Sequence, residues 1–503
     1  MKSAGQWLSF QNADGSHRLM TCFVLVLGLF NFFFGEIVPA GGGFGWDGVT
    51  YADMVRNLGS LISDGKLSHY YAQRILPSAV VRTMLLMWRA PFTNINIIHA
   101  FSIYNLTLLL CATIAWKRIA NHLSLSVTGR WLGFSGIFVN FIVSKQVMYY
   151  PVSTDVTAVL ISLLLLLFYL KRSPIPLFTI TVVGSFVWQI TSIYGAMLML
   201  SLCMTMNDES ANPPRSTFNS KKFFFVFKAS FLVILALSIT AYCIIAFVLR
   251  FAPQNSERVH VFERFFAGAP SLLAVIVAML MVLGSLQNLS AIVAQRRTVK
   301  IHLWILAAAG LLIPACIVRL ISNPALPDPN GFLQVLEWAV FPLNGEGKFL
   351  LPLLTLTLTW GPAILLSVIY WPDVCVEVRK LGPGVMGVVA MTLPLGLVTE
   401  PRYVLGAWPF VVVALVLVLA KSKLSRPFTI AFFALAILYA QFWLKLNLAP
   451  WTGGDGDGLL DFPKQMLFMH YGPWMSWPSY LIQLPIVVLS GILLRRLLRS
   501  SNE

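Results

Sequence analysis

Asp47 stands in Gly45-Trp-Asp-Gly-Val-Thr-Tyr51, one residue after Gly41-Gly42-Gly43, and Tyr70-Tyr71-Ala-Gln-Arg74-Ile-Leu-Pro77 follows. A carboxylate between glycines suits two jobs. It closes an Asx turn, because a short acidic side chain bonds its own backbone. Alternatively it is a general base, aimed by a backbone that glycine leaves free to take unusual angles. Such a base removes the proton of an attacking hydroxyl and stabilises positive charge developing at the carbon under attack.

Other ionisable groups gather in comparable places. Asp155 opens an apolar run, where the helix dipole favours an acid, so capping and substrate contact both explain it. Glu400-Pro-Arg402-Tyr403 closes another run. Glu36 and Gln189 are polar groups near a membrane boundary, and an ionisable residue such as Glu36 there is a site candidate by default. Arg56, Arg74, Arg82, Arg258, Arg264, Lys348 and Arg402 fall in segments read as outer. Cations retained there against the usual depletion point to a bound anion, with lipid-headgroup contact or pairing to Glu257, Glu263 and Glu400 as the plain alternative. For Arg74 and Arg402 the surrounding residues favour the anion.

Several features specify nothing. His69 and His470 have aromatic neighbours but no metal-ligand spacing. Asp455-Gly-Asp457-Gly lacks the glutamate that ends a calcium-binding loop and reads as a polar turn. The sequons at Asn105 and Asn288 fall inside apolar runs.

The elements that must position these groups are membrane helices. The chain has 503 residues, 57% hydrophobic and 11% charged, against roughly 25% charged in soluble domains. It cannot cover a water-facing surface. Its net charge of +16 lies largely in short loops between apolar runs, the pattern of positive-inside insertion, which argues against nucleic acid as the partner. The six cysteines lack metal spacing and read as small core residues. No cleavage pattern precedes Gly41, so the first apolar run reads as a retained span.

Runs of the length that crosses a core about 30 Å thick recur from end to end, about fourteen in all. Residues 1–18 are expected in the cytoplasm, 19–494 in the membrane domain and 495–503 in the cytoplasm again. Spans are expected at 19–40, 98–116, 131–147, 156–170, two within 175–206, 223–250, 269–293, 301–322, 349–370, 383–399, one reaching Lys421, 427–445 and 478–494. The outer loop 41–97 is expected to carry two interfacial helices, the first with a capped start at Thr50 and Asp53. Basic groups such as Lys117-Arg118, Lys171-Arg172, Arg379-Lys380 and Arg495-Arg496 mark the inner ends.

With these residues assembled, the chain resembles the GT-C superfamily of integral-membrane glycosyltransferases, which use polyprenyl-phosphate-linked sugars. Four patterns carry the resemblance: Asp47-Gly48-x-x-Tyr51, Tyr71-x-x-Arg74-x-Leu76-Pro77, Thr154-Asp155, and Glu400-Pro-Arg402-Tyr403 followed by Pro409. The resemblance implies an all-α polytopic bundle with Asp47 as catalytic base and Arg402 at the donor phosphate. Substrate contacts are expected from Tyr51, Tyr71, Arg74, Asp155, Gln189, Glu400 and Tyr403. No Asp-x-Asp or Glu-x-Asp pair follows the first run, so no metal or other cofactor is implied, although a divalent cation is compatible. No soluble C-terminal recognition domain is expected either, so the resemblance implies no particular acceptor.

The expected function is transfer of a sugar from a polyprenyl-phosphate donor to a lipid-linked or other cell-envelope glycan. It is expected on the outer face of a bacterial inner membrane, with both termini cytoplasmic and membrane lipids as surroundings. A lipid-linked oligosaccharide flippase or transporter, or an O-antigen polymerase or ligase, are the alternatives. A flippase should show midplane polar residues and repeated halves, and neither is visible.

Overall fold

The structure is a computed structural model that describes residues 13–202, 236–237, 239–240, 243–244, 257–283, 301–326, 348–398, 400–422, 424–447, 475 and 477–500. Most of the expected span 223–250 lies outside those residues. So do Cys203, Arg296, Arg297, Lys300, Asp328, Glu337, Glu346, Asp455, Asp457 and His470, and the side chains of Arg258 and Arg264. Among the described residues the chain is all helical, with no strand.

In chain order the helices are α1 (Ala13–Phe34), α2 (Trp46–Ser63), α3 (His69–Ala72), α4 (Ile75–Met87), α5 (Asn94–His122), α6 (Val127–Phe138), α7 (Val147–Tyr149), α8 (Asp155–Leu170), α9 (Pro174–Gly184) and α10 (Thr191–Leu202). Then come α11 (Glu257–Leu283), α12 (Ile301–Ile321), α13 (Leu351–Trp360), α14 (Pro362–Ile369), α15 (Trp371–Leu381), α16 (Pro383–Leu395), α17 (Trp408–Leu419), α18 (Arg426–Ala440) and α19 (Trp477–Arg499). Among the described residues, α1 from Asp14, α5, α12 and α19 are long and apolar enough to cross a membrane. The protein is a helical membrane protein.

Most other apolar helices have 10 to 17 residues, so at 1.5 Å per residue they reach roughly 15–26 Å, less than the apolar core of a bilayer. Local chemistry breaks them. The run at 349–370 splits at Gly361, whose φ of 76° and ψ of −161° end α13 and precede Pro362 at the start of α14. The run at 131–147 is interrupted after α6. There Asn140 donates to the Ile137 carbonyl and its Oδ1 accepts from the Val143 amide, and a π-helical turn over Ile142–Gln146 follows.

Three expectations are corrected. The first helix spans Ala13–Phe34 rather than 19–40, so Glu36 lies just beyond its end. The helix carrying Asp47 begins at Trp46 with Gly45 as N-cap, so Thr50 and Asp53 sit inside it and do not cap it. Cys22, Cys111, Cys243 and Cys316 are exposed and Cys375 is buried. Cys22, Cys111 and Cys316 lie on exposed faces of the apolar helices α1, α5 and α12.

The core is built on aromatic side chains against glycine. Trp116 of α5, Phe134 and Phe138 of α6 and Phe410 of α17 are fully buried, and Phe134 stacks on Phe138 with ring centres 5.0 Å apart. The bundle has two distinct ends. At one, Lys117 near the end of α5 pairs with Asp14 at 3.0 Å, and buried Glu377 of α15 pairs with Lys380 at 3.0 Å and with Lys421. At the other lie the first residues of α2, α5, α8 and α17 and the last of α1 and α12. The Asn323 amide bonds the Leu67 carbonyl at 2.8 Å there, which ties the end of α12 to the loop between α2 and α3.

Candidate functional site

The second end holds the ionisable groups that sequence singled out. Gly45 has φ 73° and ψ −162°, a region essentially reserved for glycine. This conformation turns the chain from the Gly41–Gly43 bend into α2. Gly48 donates its amide to the Tyr150 hydroxyl at 3.0 Å. A Cβ on Gly48 would lie 2.9 Å from the Val152 carbonyl. The glycines therefore let α2 press against the segment before α8. Asp47 falls in the first turn of α2, where the exposed helix amides favour a negative charge.

Arg74 is the N-cap residue of α4 and is 4% exposed. Its guanidinium carbon lies 4.1 Å from the Tyr70 ring centre and 4.6 Å from that of Trp188. Nη1 donates to the Tyr51 hydroxyl at 3.2 Å, while Nε is buried without a partner. A desolvated cation over two rings gains about 2 kcal/mol or more from their quadrupoles. Trp188 is delivered by the turn between α9 and α10, which the Leu76 amide holds through the Phe186 carbonyl at 3.1 Å. Tyr71 stands edge-on to both Tyr51 and Tyr70.

Arg402 comes from the short 3-10 turn Pro401–Val404. Two bonds from the bundle set that turn: Trp360 Nε1 donates to the Pro401 carbonyl at 3.1 Å, and Ser162 Oγ to the Gly406 carbonyl at 2.7 Å. Arg402 Nε pairs with Glu400, and Nη2 with Asp47 Oδ2 at 3.3 Å. Asp47 and Arg402, 355 positions apart, are thus in contact. Tyr403 reaches Trp188, ring centres 6.4 Å apart, which joins the Arg402 turn to the Arg74 cage.

Asp155, the first residue of α8, is 2% exposed. Gln146 Nε2 donates to its Oδ2 at 3.4 Å, and Oδ1 has no hydrogen-bond partner. Gln189 sits on the turn beside Trp188 and is half-buried. It is Trp188, the preceding residue, that contacts the cluster. Among the described residues no group of three His, Cys, Asp or Glu side chains stands close enough to share a metal ion.

Burial raises the phenol pKa values of Tyr51, Tyr70, Tyr71 and Tyr403, and the negative charge of Asp47 adds to this. They stay neutral donors at any physiological pH. Burial also raises the Glu400 carboxyl and outweighs the attraction of Arg402.

Tyr51 and Tyr70 are 2% and 1% exposed, and both contact the Arg74 guanidinium. One expectation changes. Arg56 and Arg82 are bound within the protein. Arg82 donates to the Val55 and Arg56 carbonyls, both at 2.6 Å, where α2 kinks at Asn57. Arg56 donates to Phe92 O and Asn94 Oδ1. Lys348 lies over the Trp477 ring.

Sequence reasoning passed over Tyr150, Trp188 and Lys145. Tyr150 is legible only as an aromatic a few residues before Asp155. Trp188 is legible only as the neighbour of Gln189. Lys145, a cation inside an apolar run, was the strongest of these signals: it pairs with Glu36 at 3.4 Å, and Glu36 also accepts the Leu446 and Asn447 amides at 2.7 and 2.9 Å. Glu36 thus staples the segment after α18 to the end of α1.

Comparison with models of protein families, with curated proteins and with solved structures gave no match.

Proposed function

We propose that this protein is a membrane glycosyltransferase of GT-C type that moves one sugar from a polyprenyl-phosphate donor to a lipid-linked or other envelope glycan. The observation that carries the reading is the contact between Asp47 and Arg402 at 3.3 Å, at the bundle end opposite the Lys117 and Lys421 ion pairs. A carboxylate and a guanidinium side by side are what a sugar transfer between a hydroxyl and a phosphate requires. In the reaction the acceptor oxygen attacks the anomeric carbon, and a new C–O bond forms with inversion. The bond from that carbon to the donor phosphate oxygen breaks, its electron pair leaves with polyprenyl phosphate, and the hydroxyl proton passes to Asp47.

Arg402 stabilises charge gathering on the leaving phosphate, a fixed electrostatic contribution. Arg74, closed in its cage, adds positive potential from behind, and Asp155 and Tyr403 line the same region. In this reading the basic end faces the cytoplasm, following the positive-inside rule. The site then opens on the outer face of a bacterial inner membrane, both termini are cytoplasmic, and the short apolar helices complete about fourteen crossings in pairs or with their flanking segments.

The test supplies purified protein in lipid nanodiscs with a polyprenyl-phosphate sugar and a membrane lipid extract. Asp47→Asn should lower transfer about 10²- to 10⁴-fold, the range of a general base, while the protein still folds. Undiminished transfer by Asp47→Asn would remove the base. Movement of the lipid-linked sugar across the bilayer without bond formation would establish a transporter instead.

A further inference from the structure

Arg402 is held by two carboxylates of unequal standing. Glu400 is two positions away on the same turn, where the Tyr403 amide bonds the Glu400 carbonyl at 3.2 Å and Trp360 anchors Pro401 between them. That pair is local, and its carboxylate is 13% exposed. Asp47 arrives from another element, its contact of 3.3 Å is long for a charge-assisted bond, and it is 23% exposed. It also occupies an Nη atom of the guanidinium, part of the edge that a phosphate engages with paired bonds. Two anions cannot share that atom without repulsion. Asp47 has a second source of stabilisation in the N-terminus of α2, so its displacement leaves it supported.

Resting on the glycosyl-transfer reading above, we infer that Arg402 exchanges partners when the donor binds. The donor phosphate displaces Asp47 from Nη2, and Glu400 is the positioning residue that keeps the guanidinium in place during the exchange. The contact between Asp47 and Arg402 is then a latch. The base is released only in a donor-loaded site, and an acceptor entering first meets a carboxylate still tied to Arg402.

The probe is a short-chain polyprenyl phosphate titrated into nanodisc-embedded protein without sugar or acceptor. Asp47→Asn should bind it about three- to tenfold more tightly than the native protein, the fold-change expected for removing one competing, partly buried ion-pair partner. Asp47→Glu retains the charge on a longer side chain and should bind no more tightly than the native protein. Glu400→Gln should raise the donor KM more than it lowers kcat, with partial rescue by Glu400→Asp; a purely structural role would lower thermal stability and leave KM in place.

Equal or weaker binding by Asp47→Asn overturns the latch, as does tighter binding by Asp47→Glu. If folded native protein does not bind polyprenyl phosphate at all, the donor reading falls and the latch with it. Saturable native binding that Asp47→Asn leaves unchanged overturns the latch alone.

Discussion

Replacing Gly45 with alanine tests whether the backbone ahead of Asp47 is what aims it. Two costs add. The residue has φ 73° and ψ −162°, and a side chain held in that region costs about 1–3 kcal/mol. An added Cβ would also stand closer than 3.0 Å to the Tyr150 ring, and overpacking of that kind costs about 1–3 kcal/mol. The sum is about 2–6 kcal/mol if neither cost is relieved. With unfolding entropy near 2.1 cal/mol/K per residue, a chain of 503 residues gains roughly 1 kcal/mol/K, so the apparent melting point in detergent should fall by about 2–6 °C. If Tyr150 moves to make room, the Gly48 amide loses its acceptor and the first turn of α2 shifts with Asp47 on it. Transfer should therefore drop more than stability alone explains. Gly59 is the internal control, since nothing lies within 4 Å of a Cβ built there, and Gly59→Ala should leave both readouts near native. Gly45→Ala matching Gly59→Ala in melting and transfer would refute the account of how Asp47 is positioned.

Two further outcomes follow from the polar network. Glu36→Ala should cost about 3–5 kcal/mol in chemical denaturation, because it strands buried Lys145 and two backbone amides; Lys145→Ala should cost about 1–3 kcal/mol, because Glu36 keeps both amides, and the reverse order would contradict the staple. Glu400 titrates above the ordinary glutamate value of 4.5 because it is buried, so between that value and its folded pKa the native state holds a proton that the unfolded chain has lost. Stability should therefore fall as pH rises through that interval, and Glu400→Gln should flatten the decline in a denaturation series against pH.

Much of the architecture was legible in the chain itself. With 57% hydrophobic and 11% charged residues, a helical membrane protein was the available solution, because only a closed set of backbone bonds survives in lipid. The helix at Ile75–Met87 and a second short helix between α1 and α4 were readable, although the second begins at Trp46 and not at Thr50. Asp47, Arg74 and Arg402 were readable as charge placed where charge is scarce. Helix lengths were less so. A hydropathy window passes through Asn140 and Gly361 without registering them, since the breaks arise from one side-chain amide and one glycine conformation.

The pairing within the site belongs to the tertiary structure. No local rule links Asp47 to a residue 355 positions later, nor distinguishes Arg74 in an aromatic cage from Arg82 clamped on the carbonyls of a kinked helix. Both arginines belong to one short stretch, Arg74 capping α4 and Arg82 inside it, and what separates them is which carbonyls and rings the folded chain carries into reach. Sequence determined that the chain would live in lipid and where its few charges stand. Packing decided which of those charges meet, because in a medium of low dielectric a charge must be matched by whatever partner the fold brings within a few ångströms.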